Sequence, residues 1–360
     1  MGKVRVLVVE DSLTVRKRLV EVLTTDPQFE VVGEASDGEQ AIALCLAKRP
    51  NVITMDMMLP NVTGLAATEY IMAHCPTPIL IVSSSLNRGE LFTTYDALAA
   101  GAVDVCEKPR GDEDPRSWER RFLNALRVAS RVHVITHFRA RLRPRSSAAV
   151  ATRLPATAAV PITPAGHRLV AIGVSTGGPS ALVEVLGALP RSYPLPVLIV
   201  MHVSTTFAPM FTDWLTSQLQ RDVAYARPGE SLERLHGAIR FAPPDVHLVV
   251  QHGELQLSHD PERHSCRPSV DVLFESLVKP HPEQVVACLL TGMGRDGAAG
   301  LLALRRAGAL TIAQDEATSA VYGMPREAVE LGAAMHVLPL PQIGKTLAGL
   351  RASQERAKAR

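Results

Sequence analysis

The chain has 360 residues, 46% hydrophobic and 21% charged, a composition typical of a globular protein long enough for two domains. Its net charge of +2, from 38 basic and 36 acidic residues, gives no overall bias toward nucleic acid or an anionic membrane. No apolar run is long enough to cross a bilayer, and acidic residues come too early for a secretory signal. We therefore expect a cytoplasmic protein that neither binds nucleic acid nor inserts into membranes, and we expect a monomer.

The five cysteines are an odd number, lie far apart and include no Cys-x-x-Cys pair. This pattern disfavours both a disulfide framework and a zinc site. We expect buried free thiols, which is the commonest role of an unpaired cysteine. The residues concerned are Cys45, Cys75, Cys106, Cys266 and Cys288.

Residues 1–130 alternate short apolar runs with helical patterns such as GEQAIALCLAKR. The strand-like runs are VRVLVV, FEVVGEA, NVITM, PILIVS and AVDVCE. Five strand–helix units in series predict a parallel sheet covered on both faces, a (βα)5 domain. Residues 131–167 then predict a linker, because the stretch from 139 to 166 has four prolines, five arginines and no acidic residue. Its arginine-rich start, RARLRPR, suits either a solvated tether or contact with phosphates or an acidic partner.

Residues 168–352 resume the alternation, with near-continuous apolar strands such as RLVAIGV, LPVLIVMH, QVVACLLT and ALTIAQ. Such runs predict a second α/β domain, doubly wound with a mostly parallel sheet. Between them, residues 237–260 alternate apolar and polar positions and contain a His-Gly-Glu turn. That pattern predicts an inserted β-hairpin.

Five reactive side chains follow strands of the first domain: Glu10, Asp11, Asp56, Ser83 and Lys108. Because the carboxyl ends of parallel strands meet at one edge, we expect these groups to converge. A set of carboxylates suits Mg²⁺, which keeps waters and a phosphoryl oxygen among its ligands. The set also suits covalent phosphoryl transfer to an aspartate. Each residue taken alone is more often a strand-end cap or a surface ion pair, but the occurrence of all five in the correct strand order reverses that preference.

The motifs VLVVEDS, DMMLPNVTG, VSSS and EKP resemble the response-regulator receiver domain. By that resemblance, Asp56 is the phosphorylated residue. The resemblance further implies that Glu10, Asp11, Asp56 and the backbone carbonyl of Met58 hold Mg²⁺. Many receivers carry two aspartates where this chain has Glu10 and Asp11, and the substitution keeps the charge.

Two further roles follow from the receiver resemblance. Ser83 would contact the phosphoryl group, and Lys108 would pair with it. The phosphodonor implied is a chemotaxis histidine kinase.

Ser175 lies in GVSTG, directly after the strand RLVAIGV and before GGPSALVEVLGAL. The five-residue pattern alone is weak evidence, since it occurs by chance in about one chain in eight of this length. The strand–turn–helix setting favours an exposed nucleophile beside helix N–H groups. A phosphate-binding glycine loop is the competing interpretation, but no Walker lysine or G-x-G-x-x-G is present.

A serine nucleophile needs a base, and the base needs an orienting acid. His202 ends the strand LPVLIVMH, and Asp296 follows another buried strand through LLTGMGRDGAAG. Strand-end geometry therefore predicts that Ser175, His202 and Asp296 converge. Their chain order differs from that of the α/β-hydrolases, so the serine motif does not place the domain in that fold.

The segments IGVSTGGP, APPDVHL, RPSVDVLF, LTGMGRDGAAG and AQDEATSAVYGMPREAV resemble the catalytic domain of the chemotaxis protein-glutamate methylesterase (CheB) family. The receiver–linker–esterase order is similar to that family throughout. The resemblance implies Ser175 as nucleophile, His202 as base, Asp296 as orienting acid and the N–H of Met293 as oxyanion donor. Thr176 would help to hold His202.

The activity implied is phosphorylation-activated hydrolysis of glutamate γ-methyl esters, and deamidation of glutamines, on methyl-accepting chemotaxis receptors. No cofactor is implied for the ester chemistry. Two alternatives remain. A non-catalytic regulatory binding protein of a chemosensory array would not need the triad residues. A DNA-binding response regulator would carry a helix-turn-helix after the linker, and the strand content there disfavours one.

Overall fold

The computed structural model describes residues 2–84, 88–109, 114–132, 134 and 166–350. The chain forms two compact units, Met1–Ala149 and Val150–Arg360. Most of the predicted linker, including its arginine-rich start, lies outside the described residues. Within the described residues, no helix combines the length and apolar character that crossing a membrane requires.

The N-terminal unit is a five-stranded parallel sheet with the strand order β2-β1-β3-β4-β5. The strands are β1 (Val4–Val9), β2 (Phe29–Ala35), β3 (Val52–Met55), β4 (Ile79–Ser83) and β5 (Asp104–Glu107). The helices are α1 (Leu13–Thr25), α2 (Gly38–Lys48), α3 (Gly64–His74), α4 (Arg88–Ala99) and α5 (Pro115–Ala129). The three central strands β1, β3 and β4 are almost entirely buried, as expected for a parallel sheet covered on both faces.

The C-terminal unit is a seven-stranded sheet in which all neighbouring strands run parallel, with the order β14-β13-β12-β6-β7-β9-β8. Its strands are β6 (Leu169–Val174), β7 (Val197–Met201), β8 (Val223–Tyr225), β9 (Ile239–Phe241), β12 (Val285–Leu289), β13 (Leu310–Gln314) and β14 (His336–Leu338). The helices are α6 (Gly178–Gly187), α7 (Phe211–Leu219), α8 (Val270–Ser276), α9 (Ala298–Arg306), α10 (Met324–Glu330) and α11 (Leu340–Ala348).

The strand order of this sheet creates a switch point. After β6 the chain adds β7, β8 and β9 on one side of that strand, and then returns to add β12 on its other side. In open α/β sheets, the loops at the carboxyl ends of the two strands that flank such a switch point diverge and leave a crevice. In open α/β sheets this is where ligands bind. The sheet topology therefore predicts that a binding or catalytic site lies at the loops after β6 and β12.

The predicted hairpin is present but smaller than expected. It consists of β10 (His247–Gln251) and β11 (Glu254–Ser258), paired antiparallel through a turn at His252 and Gly253. Both turn residues have a positive φ, as a two-residue hairpin turn requires. The preceding run, β9, joins the main sheet instead, because its three residues are all buried and pair in parallel with β7. The α/β class predicted for both domains is confirmed.

Candidate functional sites

The predicted acidic cluster of the N-terminal unit forms at the carboxyl ends of β1 and β3. Ligand oxygens of Glu10, Asp11 and Asp56 lie within 4.8 Å of one another. Glu10 and Asp56 are buried, whereas Asp11 is exposed. The cluster is therefore open to solvent on the Asp11 side, where an incoming group has access to it.

Lys108 supplies the only positive charge contacting these carboxylates in the described part of the unit. Its Nζ lies 3.0 Å from Asp56 Oδ2 and 3.0 Å from Glu10 Oε2. Burial and the nearby Asp56 charge raise the pKa of Glu10 to about 7, against the lowering effect of Lys108. Burial likewise raises the pKa of Asp56, which Lys108 counteracts. One ammonium does not balance three carboxylates, so the site favours a further cation.

The donor set fits Mg²⁺. All three side chains offer carboxylate oxygens, the hard ligands that this ion prefers. Asp56 Oδ1 is buried and accepts no hydrogen bond from the described residues, which leaves it available to a metal or a phosphoryl group. Met58 lies two residues beyond Asp56 in the turn after β3, with its side chain exposed.

Ser83 ends β4 and is buried, and its hydroxyl bonds a residue of α4. Ser83 Oγ donates a 2.8 Å hydrogen bond to Glu90 Oε1 in α4, and Ser84 donates to the same oxygen. No hydrogen bond joins Ser83 to Asp56 in the described residues. The structure therefore shows Ser83 bonded to Glu90, and its contact with a phosphoryl group stays a prediction.

Ser175 occupies the switch point of the C-terminal unit. Its N–H donates to the carbonyl of Thr291 after β12 at 3.0 Å, and on the other side the N–H of His202 donates to Val174 at 3.1 Å. Since Val174 and Met201 are register partners, Ser175 and His202 leave neighbouring strands at the same level. Ser175 is half-buried, and its carbonyl accepts the N–H of Gly178 in the first turn of α6.

His202 and Asp296 are directly bonded. His202 Nε2 lies 2.8 Å from Asp296 Oδ2, although the two residues are 94 positions apart in sequence. Asp296 is 2% exposed. In the neutral imidazole, Nε2–H donates to the Asp296 carboxylate, and this bond favours the tautomer in which Nδ1 carries the lone pair. The predicted base and orienting acid are thus brought together as expected.

Asp296 is also held by the N-terminus of α8. Its Oδ1 accepts from Ser269 Oγ at 2.7 Å and from the N–H of Asp271 at 3.1 Å, and its Oδ2 accepts from the N–H of Val270 at 2.7 Å. These donors are otherwise unpaired groups at the start of a helix, where the helix dipole favours a negative charge. Asp296 therefore lies in a site built for its ionised form.

Two glycines allow α8 to approach so closely. A Cβ on Gly173 in β6 would lie 2.2 Å from Val270 Cγ1, and one on Gly297 would lie 2.6 Å from the same atom. Gly297 also has φ +90°, which side chains rarely adopt. Glycine at both positions lets the first residue of α8 pack between β6 and the loop that carries Asp296.

The pKa values of the pair follow from these contacts. Burial lowers the pKa of His202, but the hydrogen bonds to Asp296 and Cys266 outweigh burial and raise the pKa to about 9. Burial raises the pKa of Asp296, yet the hydrogen bonds from His202 and Ser269 outweigh it and hold the pKa below its usual range. The pair therefore has the character of a carboxylate supporting an imidazolium.

The remaining predicted residues are Met293 and Thr176. The side chain of Met293 is exposed, and its N–H donates no hydrogen bond to acceptors in the described residues. Thr176 follows Ser175, and its carbonyl accepts from Thr291 Oγ1 at 2.9 Å. No hydrogen bond joins Ser175 Oγ to His202 in the part of the chain that the structure describes. Catalytic hydrogen bonds are often unmade before substrate binds.

Two residues that contact the His202–Asp296 pair were not predicted from the sequence. Ser269 begins the SVDVLF helix as an N-cap, a signal that the sequence does carry, but capping alone does not indicate a bond to Asp296. Cys266 was expected to be buried; it is half-buried, with Sγ 4.0 Å from His202 Nδ1. The other four cysteines are buried free thiols, as expected.

The comparisons with known proteins match both units. The family model "Response regulator receiver domain" matches residues 6–116, and "CheB methylesterase" matches residues 170–347. The chain is thus a response regulator whose output domain is an esterase. A relative from Nitrosospira multiformis, named protein-glutamate methylesterase/protein-glutamine glutaminase, is 42% identical, and the alignment covers 99% of each chain. The chain belongs to this family of CheB protein-glutamate methylesterases and protein-glutamine glutaminases.

Two further proteins are similar to this chain. A Geobacter metallireducens protein with the same description is 40% identical, over 96% of this chain and 99% of that protein. The crystal structure of the Thermotoga maritima CheB methylesterase catalytic domain is 32% identical, aligns with 51% of this chain and 98% of its own, and gives a TM-score of 0.48.

The bond from Ser269 to Asp296 generates a prediction. Ser269→Ala removes one hydrogen bond to an ionised carboxylate, a loss of about 1.5–3 kcal/mol. We expect kcat/KM for methyl-ester hydrolysis to fall by about 10-fold or more, because Asp296 then orients His202 less well. The measurement is steady-state hydrolysis of methyl-labelled receptor, with urea unfolding to separate any loss of the α8 cap.

Ser276→Ala is the matched control on the same helix, since Ser276 Oγ bonds Val250 and Leu273 and not Asp296. Equal activity of Ser269→Ala and the wild type would show that the Ser269 bond does not support the pair.

Proposed function

We propose that this chain hydrolyses glutamate γ-methyl esters, and deamidates glutamines, on methyl-accepting chemotaxis receptors, with Ser175 as the nucleophile. The observation that carries the proposal is the 2.8 Å bond between His202 and the buried Asp296 beside Ser175 at the switch point. A phosphoryl group on Asp56, supplied by a histidine kinase, raises the rate. The function is sensory adaptation.

The acylation step uses the free nitrogen of His202. Because Nε2 is bonded to Asp296, Nδ1 is the atom that accepts the proton of Ser175 Oγ as the hydroxyl attacks the ester carbonyl. The N–H of Met293 would stabilise the oxyanion. The Ser–O–acyl bond forms, the C–OCH₃ bond breaks, and the proton on His202 leaves with methanol. For a glutamine side chain, ammonia leaves instead.

Deacylation reverses these roles. His202 Nδ1 takes a proton from water as the water attacks the acyl-enzyme, and the proton then returns to Ser175 Oγ as the glutamate carboxylate is released. General-base assistance contributes about 10²–10⁴-fold, and one oxyanion donor about 10²–10³-fold. Asp296 stabilises the imidazolium that is present in both steps without itself taking the proton.

The receiver supplies the control. Mg²⁺, held by Glu10, Asp11, Asp56 and the carbonyl of Met58, would neutralise charge between the carboxylates and the incoming phosphate. Asp56 attacks the phosphorus of the kinase's phosphohistidine, and the P–N bond breaks. Lys108 would exchange its contact with Asp56 for one with a phosphoryl oxygen.

Ser83 has a single hydroxyl proton, so it would have to give up its 2.8 Å bond to Glu90 in order to donate to the phosphoryl group. Phosphorylation then needs only to favour the active one of two states by a few kcal/mol to raise the esterase rate.

A non-catalytic regulatory role is not favoured. Asp296 is buried, accepts four hydrogen bonds and bonds a histidine that lies beside Ser175. A protein that only binds its partner does not require this arrangement. The DNA-binding alternative is not favoured either, because the output domain is a seven-stranded parallel sheet.

Removing the nucleophile tests the esterase assignment. We expect Ser175→Ala to lower methanol release from methyl-labelled receptor by at least about 10³-fold, because neither His202 nor Asp296 can replace the hydroxyl. Ser180→Ala, in the first turn of α6, is the matched control and should retain activity. Methanol release at the wild-type rate by Ser175→Ala would rule out this mechanism.

The switch has its own test. A small phosphodonor such as acetyl phosphate, with Mg²⁺, should raise the wild-type rate, and Asp56→Asn should abolish the increase because an amide cannot accept the phosphoryl group. Asp104→Asn, at the start of β5, is the matched control and should respond normally. Removing Mg²⁺ with a chelator should also abolish the increase. An equal increase in Asp56→Asn would contradict the assignment of Asp56.

A further inference from the structure

Cys266 is a thiol at the active site that the proposed reaction does not use. Its Sγ lies 4.0 Å from His202 Nδ1, on the opposite side of the imidazole ring from Asp296. All five cysteines lie in the described residues, and Cys266 is the one that is not buried. A half-exposed sulfur therefore faces the nitrogen that acts as the base in the proposed mechanism.

The three side chains have the composition of a metal site. One ligand atom each from His202, Cys266 and Asp296 lie within 4.8 Å of one another. In the neutral imidazole, Asp296 accepts the proton on Nε2, so the Nδ1 lone pair faces Cys266, where it can bind a metal. A carboxylate on the far nitrogen of a metal-bound histidine is a common supporting arrangement, which orients the ring and strengthens the ligand.

The geometry and chemistry fit Zn²⁺ and related cations. Typical Zn–S and Zn–N bonds at a tetrahedral angle place the sulfur and nitrogen about 3.6 Å apart. The observed distance between Cys266 Sγ and His202 Nδ1 is 4.0 Å, so a small movement of either side chain would bring the two atoms to the spacing of zinc ligands. Thiolate with imidazole selects zinc-like ions, whereas the all-carboxylate cluster at Glu10, Asp11 and Asp56 suits Mg²⁺. The two sites should therefore discriminate between the two kinds of cation.

A neighbouring cluster does not compete. His264, Asp271 and Asp296 also lie close together, but the Asp271 oxygens already accept from the Gly300 N–H at 2.6 Å and from His264 at 3.1 Å. Both Asp271 oxygens are therefore occupied by hydrogen bonds, of which the one from Gly300 joins α8 to α9. Among the described residues, Nδ1 of His202 contacts only the sulfur of Cys266, at 4.0 Å, and that sulfur also donates a weak 3.5 Å hydrogen bond to the carbonyl of His264.

We propose that Cys266 and His202 form a binding site for a thiophilic divalent cation of the Zn²⁺ class, and that its occupancy inhibits the esterase. Binding deprotonates the thiol, and the metal takes the Nδ1 lone pair. A metal-bound Nδ1 cannot accept the proton of Ser175. The inhibition rests on the proposed role of His202, whereas the binding itself does not.

The test uses the full chain and two readouts. Titration with Cd²⁺ or Co²⁺ should produce a thiolate-to-metal charge-transfer band at one equivalent, which the oxygen ligands of the receiver cannot give. Cys266→Ser and His202→Ala should each remove or strongly weaken this band. Zn²⁺ should inhibit methanol release by the wild type, and Cys266→Ser should raise the half-inhibiting concentration by at least about 10-fold, with each rate taken relative to the same variant without metal.

Cys106→Ser is the matched control, because Cys106 is a buried thiol of the other unit; it should leave both the band and the inhibition unchanged. A band that persists in Cys266→Ser, or Zn²⁺ inhibition that is equal in Cys266→Ser and the wild type, would overturn the proposal. A band without inhibition would overturn its inhibitory part. Absence of ester hydrolysis in metal-free wild type would instead contradict the proposed function, and the band would still test the site.

Discussion

The active-site arrangement depends on the contact between Asp296 and the first turn of α8. A carboxylate that is 2% exposed would ordinarily be costly in its charged form, yet here it accepts from Ser269 Oγ and from two helix N–H groups. Those donors stabilise the anion. Asp296 Oδ2, which already accepts from the N–H of Val270, also bonds His202 Nε2 and so holds the imidazole in place. A helix terminus thus sets the protonation and orientation of an imidazole that lies on a different strand.

The sheet topology brings the nucleophile to this pair. Ser175 follows β6, the strand on which the order of the sheet reverses, and lies between His202 after β7 and Thr291 after β12. Gly173 and Gly297 allow Val270 to come within contact distance of both elements. The same principle holds in the receiver domain. Glu10, Asp56 and Lys108 each directly follow the carboxyl end of a parallel strand, and their side chains meet there.

Much of this arrangement could be predicted from the sequence, because continuous apolar strands fix a parallel sheet and parallel strands gather their ends at one edge. The convergence of His202 with Asp296 and of Glu10 with Asp56 follows from that rule. The capping of Asp296 by α8 could not be predicted, since it depends on how a helix packs across β6. The Cys266–His202 contact spans 64 positions and matches no spacing motif. The Ser83–Glu90 bond depends on rotamer choice, and β9 and β14 are too short for periodicity to assign.

The central claim is that α8 keeps Asp296 ionised and that Asp296 makes His202 a strong base. NMR titration of the labelled His202 ring, in buffer with a chelator, measures this directly. The wild-type ring should titrate near pH 9, well above the ordinary histidine value of 6.5, with Nδ1 losing its proton as the pH rises. In Asp296→Asn the pKa should fall, because the amide carries no charge to stabilise the imidazolium. A wild-type pKa near 6.5, or an identical pKa in both proteins, would contradict the account.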